Sequence, residues 1–238
     1  MEFIKIKTRI VNPPRDEIWD ILDTLALQDG DIVFITSKVL AIHQGRCIKA
    51  KDSDKHKLIE QNSTYHLPYI HPKGFEFCLT ITDNILIPNA GIDESNSNGH
   101  YILWPKKADE LCAEIRVFLC KKFGTKNVAV IATDSYTTPL RYGVTGITIG
   151  FSGIEPLNDV RGQPDIFGRE MRVTQVNIID PLSSMAVLLM GEGSEQTPIV
   201  ILRGYKQAKF NSDATMEDFK IPPEIDIYKP LLDVFVNK

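Results

Sequence analysis

The chain has 238 residues, 43% of them hydrophobic and 24% charged, with a formal net charge of -4. That is enough apolar material for one large domain or two small lobes, and Lys and Arg are too dispersed to form a footprint for nucleic acid. The N-terminal run MEFIKIKTRI lacks the apolar core of a signal peptide, no stretch is long enough to span a membrane, and Cys47, Cys78, Cys112 and Cys120 show neither CxxC nor zinc spacing, so a cytoplasmic protein with reduced thiols is expected.

Residues 3–7 alternate as a strand. After Pro13-Pro14, Ile18, Ile21, Leu22 and Leu25 share one face of a helix predicted over 15–27. Asp29-Gly30 turns the chain into a strand over 31–35 that ends in Thr36-Ser37-Lys38. Residues 49–73 are polar with a weak helical pattern at 55–61, and His56, His66 and His71 fit no metal spacing, which predicts solvated or loop histidines. Strands are expected over 77–81 and 85–87. A helix over 106–123 carries Leu111, Ile115, Phe118 and Leu119 on one face, with Cys112 as a small hydrophobe and Gly124 as its stop. Residues 127–135 form a continuous apolar run ending in an acid, the pattern of a strand covered on both faces. Such strand ends gather ligands in open α/β sheets. Four glycines between Arg141 and Gly153, spaced three, four and three, predict bulges or close packing more than a nucleotide loop. Asp180-Pro181 is expected to cap a short helix through Met185, Leu188 and Leu189 that stops at Gly191, and 198–204 gives a last strand. The tail ends in an amphipathic segment over 228–236.

Chemistry-bearing residues concentrate where apolar elements end. The stretch IPNAGIDESN leaves an apolar run through small and oxygen-bearing residues and contains Asp93 and Asn96; Asp134 closes the 127–135 run, and Glu192 follows the short helix. Singly, each acid reads as a turn or helix-terminus residue. Jointly they suggest one pocket, where two carboxylates about 5 Å apart repel by roughly 3 kcal/mol at an effective dielectric of about 20 and need cations or protons. Hard oxygen ligands of this kind suit Mg²⁺ or Mn²⁺ bridging to the phosphates of a nucleoside triphosphate.

The motifs NAGIDESN, VAVIATDS, RYGVTGITIGFSGIEPLNDVRGQPDIFGRE and LLMGEG, ending in VILRG, together resemble the family of coenzyme F420-0:L-glutamate ligases, in order from about Asp31 to Gly204. The resemblance implies an α+β fold of mixed sheets with flanking helices in two lobes, a ligase domain over 1–210, a 211–238 tail docked on the body or a partner subunit, and a homodimer. It also implies a GTP- or ATP-dependent enzyme that joins L-glutamate to a carboxylate acceptor, F420-0, with two divalent ions, Mg²⁺ or Mn²⁺. Carried over position by position, Asp93 and Asp134 match ligands of one metal, and Ser135 and Glu192 ligands of the second. Ser37, Lys38, Asn96, Leu189, Met190, Gly191, Gly193, Ser194, Glu195 and Gln196 match nucleotide-contacting positions. Forming an amide from a carboxylate needs activation, most simply as an acyl phosphate, so positioning and charge neutralisation do the work and no protein nucleophile is required. Arg141, Arg161 and Arg169 are candidate clamps for phosphate or carboxylate, or else structural ion pairs.

Three positions depart from the family pattern. Asp134-Ser135-Tyr136-Thr137-Thr138 stands where the family commonly reads Asp-Thr-x-Gly-Arg, Ile42 stands at a nucleotide-contacting Lys with Lys38 nearby, and Pro181 replaces an acid. The altered 136–138 region suits a second acceptor, tetrahydrofolate, on the same scaffold. The missing Lys and Arg motivate a third reading, a nucleotide-binding regulatory or structural protein without catalysis.

Overall fold

The run Ile32-Val33-Phe34-Ile35 is fully buried along its length, so the strand it forms has to be covered on both faces. In the computed structural model, which describes residues 1–69 and 76–236, the elements run β1 (Glu2–Ile6), α1 (Trp19–Asp23), β2 (Ile32–Thr36), α2 (Ser37–His43), β3 (Cys47–Lys49), α3 (Lys55–Asn62), β4 (Tyr65–His66), β5 (Leu79–Thr82), β6 (Ile85–Pro88), β7 (His100–Ile102), α4 (Ala108–Phe123), β8 (Ala129–Tyr136), β9 (Thr145–Ser152), β10 (Leu157–Asp159), β11 (Gln175–Asn177), α5 (Ile179–Met190), β12 (Ile199–Arg203) and α6 (Lys229–Val236). Five strands make the main sheet in the order β1-β12-β2-β8-β9. Within it only β2 and β8 are parallel, from Ile32 opposite Ala129 to Thr36 opposite Thr133.

Period-two alternation splits these strands between two cores. Val33, Ile35, Val130, Ala132, Ile199 and Ile201 pack with α1, α2 and α4, while Ile32, Phe34, Ala129, Ile131, Val200 and Leu202 pack with α5 and with Ala214 and Met216 of the tail. A smaller core of Ile59, Cys78, Ala90, Ile92 and Leu103 sits beside the three-stranded sheet β4-β5-β6. The fold is mixed α+β. The glycines of β9 are close-packing sites: an added Cβ at Gly146 would meet the Ser183 carbonyl at 2.5 Å, and one at Gly150 would meet the Ala108 side chain at 2.5 Å, so α5 and α4 both lie directly against the strand.

Three expectations change. The helix predicted over 15–27 shrinks to α1, because Arg9 clamps the Asp16 and Asp20 carboxylates and the Glu17 carbonyl, and the Asp16 N–H donates to the Ile42 carbonyl. Its predicted face survives, with Ile18, Ile21, Leu22 and Leu25 all buried. The polar end of the second strand is the start of α2, which was illegible because Val39 through His43 are all buried, and a helix apolar all round shows no amphipathic period. Asp180 does not cap α5. The Asn177 side chain accepts its N–H (3.1 Å), while the Asp180 carboxylate accepts from the Thr148 N–H (3.0 Å) and Asn177 Nδ2 (2.8 Å). The predicted helix through Met185, Leu188 and Leu189 is present as α5, which turns Met185 and Leu188 outward and buries Leu182, Ala186, Val187 and Met190.

The other predicted elements begin and end within two residues of their expected bounds. All four cysteines are free, with Cys112 fully buried. His56 stacks on Tyr69 and bonds Glu76 (2.9 Å), His66 is exposed in β4, and His71 lies outside the described residues. Helix α6 lies against β4 and buries Phe235. Among the described residues no helix is long and apolar enough to cross a membrane.

Candidate active site

The parallel strands β2 and β8 end side by side, and the polar residues that close them open into a cavity of about 450 Å³. Its wall gathers residues 8–11, the start of α2 with Val39 and Ile42, the 93–98 loop, Asp134 and Ser135, and the loop after α5. Asp93, Asp134 and Glu192, three acids from distant parts of the chain, all line it, together with Ser37, Lys38, Asn96 and Ser135. From the loop after α5, Met190, Gly191, Gly193, Ser194, Glu195 and Gln196 line it as well, whereas Leu189 packs into the α5 core.

Asp93 is held from both sides. Its N–H donates to the Ile102 carbonyl (3.0 Å) and its carbonyl accepts from the Ile102 N–H (2.8 Å). Its carboxylate accepts from the N–H groups of Glu94 (2.6 Å) and Ser95 (2.7 Å) and pairs with Lys38 Nζ at 2.6 Å. Burial works to raise this carboxyl, and the hydrogen bond and charge of Lys38 together with the hydrogen bonds from the Ser95 N–H and hydroxyl more than reverse it, leaving it below the usual carboxylate range. Asp134 goes the other way: burial pushes it up to about 6, with hydrogen bonds from the Trp104 indole, the Ser135 backbone and Ser37 opposing and the Asp93 charge adding to the rise. Glu192 is also raised, first by burial and then by the charges of Asp93 and Glu195, against a hydrogen bond from the Ser135 hydroxyl (3.4 Å) and the charge of Lys38.

Two features position these acids. A register shift between Ala132 and Thr133 lies just before Asp134, and such bulges re-aim the side chains that follow. Trp104, which no signal in the sequence marks, donates its indole N–H to Asp134 Oδ2. Its ring lies across Gly91, where φ is +70° and an added Cβ would overlap the indole. Gly91 therefore serves the site twice, letting the chain turn toward Asp93 and leaving room for Trp104 to reach Asp134. Asn96, itself at φ +50°, donates Nδ2 to the Gly193 carbonyl (2.9 Å) and ties the 93–98 loop to the loop after α5. Thr8 N–H to the Gln196 carbonyl (3.0 Å) and the Thr197 hydroxyl to the Met190 carbonyl (2.7 Å) pin that second loop.

A family model described as F420-0:Gamma-glutamyl ligase matches residues 5–204, a span that includes every wall of this cavity. The chain belongs to the F420-0:gamma-glutamyl ligase family. Curated relatives named Coenzyme F420:L-glutamate ligase include one from Methanocaldococcus jannaschii, 35% identical over 217 residues (85% of this chain, 86% of the relative), and one from Methanopyrus kandleri, 34% identical over 213 residues (83% and 84%). A relative of the same name from Methanococcus maripaludis is 31% identical over 251 residues, covering 96% of this chain and 97% of its own. As a member of the F420-0:gamma-glutamyl ligase family, the chain is a ligase that forms a carbon–nitrogen bond.

The donor set of this ligase fits a hard divalent cation. Of the two cations in the wall, Arg9 is committed to Asp16 and Asp20, which leaves Lys38 facing Asp93, Asp134, Glu192 and Glu195. Among the described residues no three His, Cys, Asp or Glu converge tightly enough to cage a metal unaided. Mg²⁺ and Mn²⁺ suit so sparse a set, because they take one or two carboxylates and complete their shell with water and substrate phosphates. Asp93, Asp134, Ser135 and Glu192 are the cavity residues that would hold such an ion.

The arginine candidates lie apart from the cavity of this chain. Arg141 is exposed and donates to the Leu140 carbonyl (2.9 Å), Arg161 is forked onto Asp159 (2.9 and 3.0 Å from Nε), and Arg169 is exposed with its backbone N–H on Asp165 (2.9 Å). For Arg161 the arrangement present is a structural ion pair. Ile42 joins Ile10, Val11 and Val39 as an apolar wall of the cavity.

Proposed function

We propose that this chain is a nucleotide- and divalent-metal-dependent γ-glutamyl ligase that extends a carboxylate acceptor with L-glutamate through an acyl phosphate. The observation that carries this is the meeting of Asp93, Asp134, Ser135 and Glu192 in a single cavity with Lys38, which is paired to Asp93 within it. A triphosphate is repelled by such a wall unless cations lie between. Mg²⁺ or Mn²⁺ held there would neutralise charge between the phosphate and carboxylate oxygens. Lys38 sits where it can turn from Asp93 to a phosphate oxygen, and Ile10, Val11, Val39 and Ile42 offer an apolar surface for the base. The Asn96–Gly193 bond holds the two acid-bearing loops at a fixed spacing.

The reaction needs no covalent bond to the protein. An oxygen of the acceptor carboxylate takes the terminal phosphoryl group as the nucleoside diphosphate leaves. The amine of glutamate then attacks the acyl carbon, phosphate departs with the bonding pair, and the amine proton passes to solvent. The family's description points to F420-0 as acceptor, and the changed residues at 136–138 make tetrahydrofolate the alternative to test. Purified protein with Mg²⁺ or Mn²⁺, GTP or ATP, glutamate and either acceptor is expected to yield a product heavier by a glutamyl group in mass spectrometry. Nucleotide binding with no product from either acceptor would mark the cavity as a non-catalytic nucleotide site.

A homodimer accords with the same reading. Leu140, Tyr142, Ile166, Phe167, Val173 and Leu188 expose most of their apolar side chains on the approach to β9, the β10–β11 arm and the outer face of α5. Exposed apolar surface on this scale marks an interface. Arg141, Arg161 and Arg169 lie on the same stretches, so a second copy decides whether they reach an active site. Light scattering at twice the chain mass is the expected result, and a monomer mass would contradict it.

A further inference from the structure

Trp104, whose indole holds Asp134 in the first cavity, also borders a second cavity of about 390 Å³ whose wall includes Arg46, Asn62, Thr64, Asp83, Lys106 and Lys107. Arg46 sets this cavity apart. It is half-buried, donates Nε to the Trp104 carbonyl (3.1 Å) and Nη2 to the Asn62 side-chain oxygen (3.0 Å), and forms no ion pair with a carboxylate among the described residues. A guanidinium taken from water without an anion is costly, and here burial lowers its pKa with nothing opposing. The neighbouring charges do not cancel it. Lys107 is paired with Glu110 (2.8 Å), Asp83 is exposed at the turn between β5 and β6, and Lys106 has only its backbone engaged, with the Gln44 amide (2.8 and 2.9 Å). The cavity thus keeps surplus positive charge, the unused N–H groups of Arg46, the Lys106 ammonium and the Thr64 hydroxyl, which makes no side-chain hydrogen bond among the described residues.

We propose that this second cavity is a binding site for a small anion bearing carboxylate or phosphate groups, with Arg46 as the forked donor and Lys106 as a second contact. The first cavity, walled by carboxylates, repels such a ligand. Arg46 bonds the carbonyl of Trp104 and the indole of Trp104 bonds Asp134, so an anion here is linked to the first cavity through one residue. The ligase reading supplies two sources of this chemistry, the carboxylates of the glutamate substrate and the phosphate released on turnover. That assignment rests on the ligase reading, whereas the site rests on the geometry.

Calorimetric titration of the whole chain, free of nucleotide and metal, with L-glutamate and with inorganic phosphate tests the site, each against chloride at matched ionic strength. Saturable binding of at least one anion is expected, weakened about tenfold or more in both Arg46→Gln and Lys106→Glu. The anion that binds identifies the source. Lys106→Glu alters an exposed side chain and leaves its backbone contacts intact, so it guards against a folding artefact in Arg46→Gln; circular dichroism verifies both. No saturable heat from either anion up to about 20 mM, or affinities within about twofold of wild type in both folded variants, overturns the site. Metal-dependent nucleotide binding on the same samples reports separately on the ligase reading.

Discussion

Replacing Asp134 with Asn is expected to abolish metal-dependent nucleotide binding and yet to stabilise the metal-free fold above about pH 6. The folded carboxyl is raised to about 6 from its ordinary 3.8 by burial. The folded state therefore binds this proton more tightly than the unfolded chain does. The contribution to stability is fully present below the unfolded value and is lost as pH rises through about 6, beyond which the buried charge is a burden. A gap of that size corresponds to about 3 kcal/mol, a net figure in which the opposing hydrogen bonds from the Trp104 indole and the Ser135 N–H are already counted. The Asn variant should thus gain up to about 3 kcal/mol at about pH 8 and nothing at about pH 3, where both side chains are neutral. Thermal unfolding at the two pH values checks this, and a variant no more stable than wild type at the higher pH would show that the Asp134 charge is not a burden.

Gly91→Ala should cost about 3 kcal/mol and weaken the metal site without touching a proposed ligand. The left-handed φ of +70° accounts for about 1 kcal/mol of this, and the rest comes from the new methyl meeting the indole of Trp104, which is only 6% exposed. Displacing that ring also removes the N–H held by Asp134. Denaturant midpoints with an unchanged slope would report the loss. A variant within about 0.5 kcal/mol of wild type would show that the Gly91–Trp104 contact carries no weight.

The parts of the site that the sequence made visible share a physical cause. Asp134 closes an apolar run buried on both faces, Glu192 follows a helix stop, and Asp93 stands in a Gly-bearing turn, so each is announced by the local pattern before it. Trp104 is announced by nothing, because its role is a contact with a residue 30 positions away that depends on the missing side chain of Gly91. The three-residue strands β3, β7, β10 and β11 were equally silent: a period of two cannot be told from chance over so few residues, and their pairing is set by distant partners. Arginines show their charge in a sequence and not their neighbours. Arg161 spends its fork on Asp159, while Arg46, within an unremarkable Gly-Arg-Cys, ends half-buried beside an unassigned cavity.

Electron paramagnetic resonance of Mn²⁺ bound in the presence of nucleotide, on wild type and on Asp134→Asn, reads the shared acid pocket without reference to any acceptor. Tight nucleotide-dependent Mn²⁺ on the wild-type chain, reduced in the Asn variant while its fold persists, is the result expected of Asp93, Asp134, Ser135 and Glu192 acting together. Mn²⁺ binding that ignores nucleotide, or that is equal in the two proteins, would contradict it.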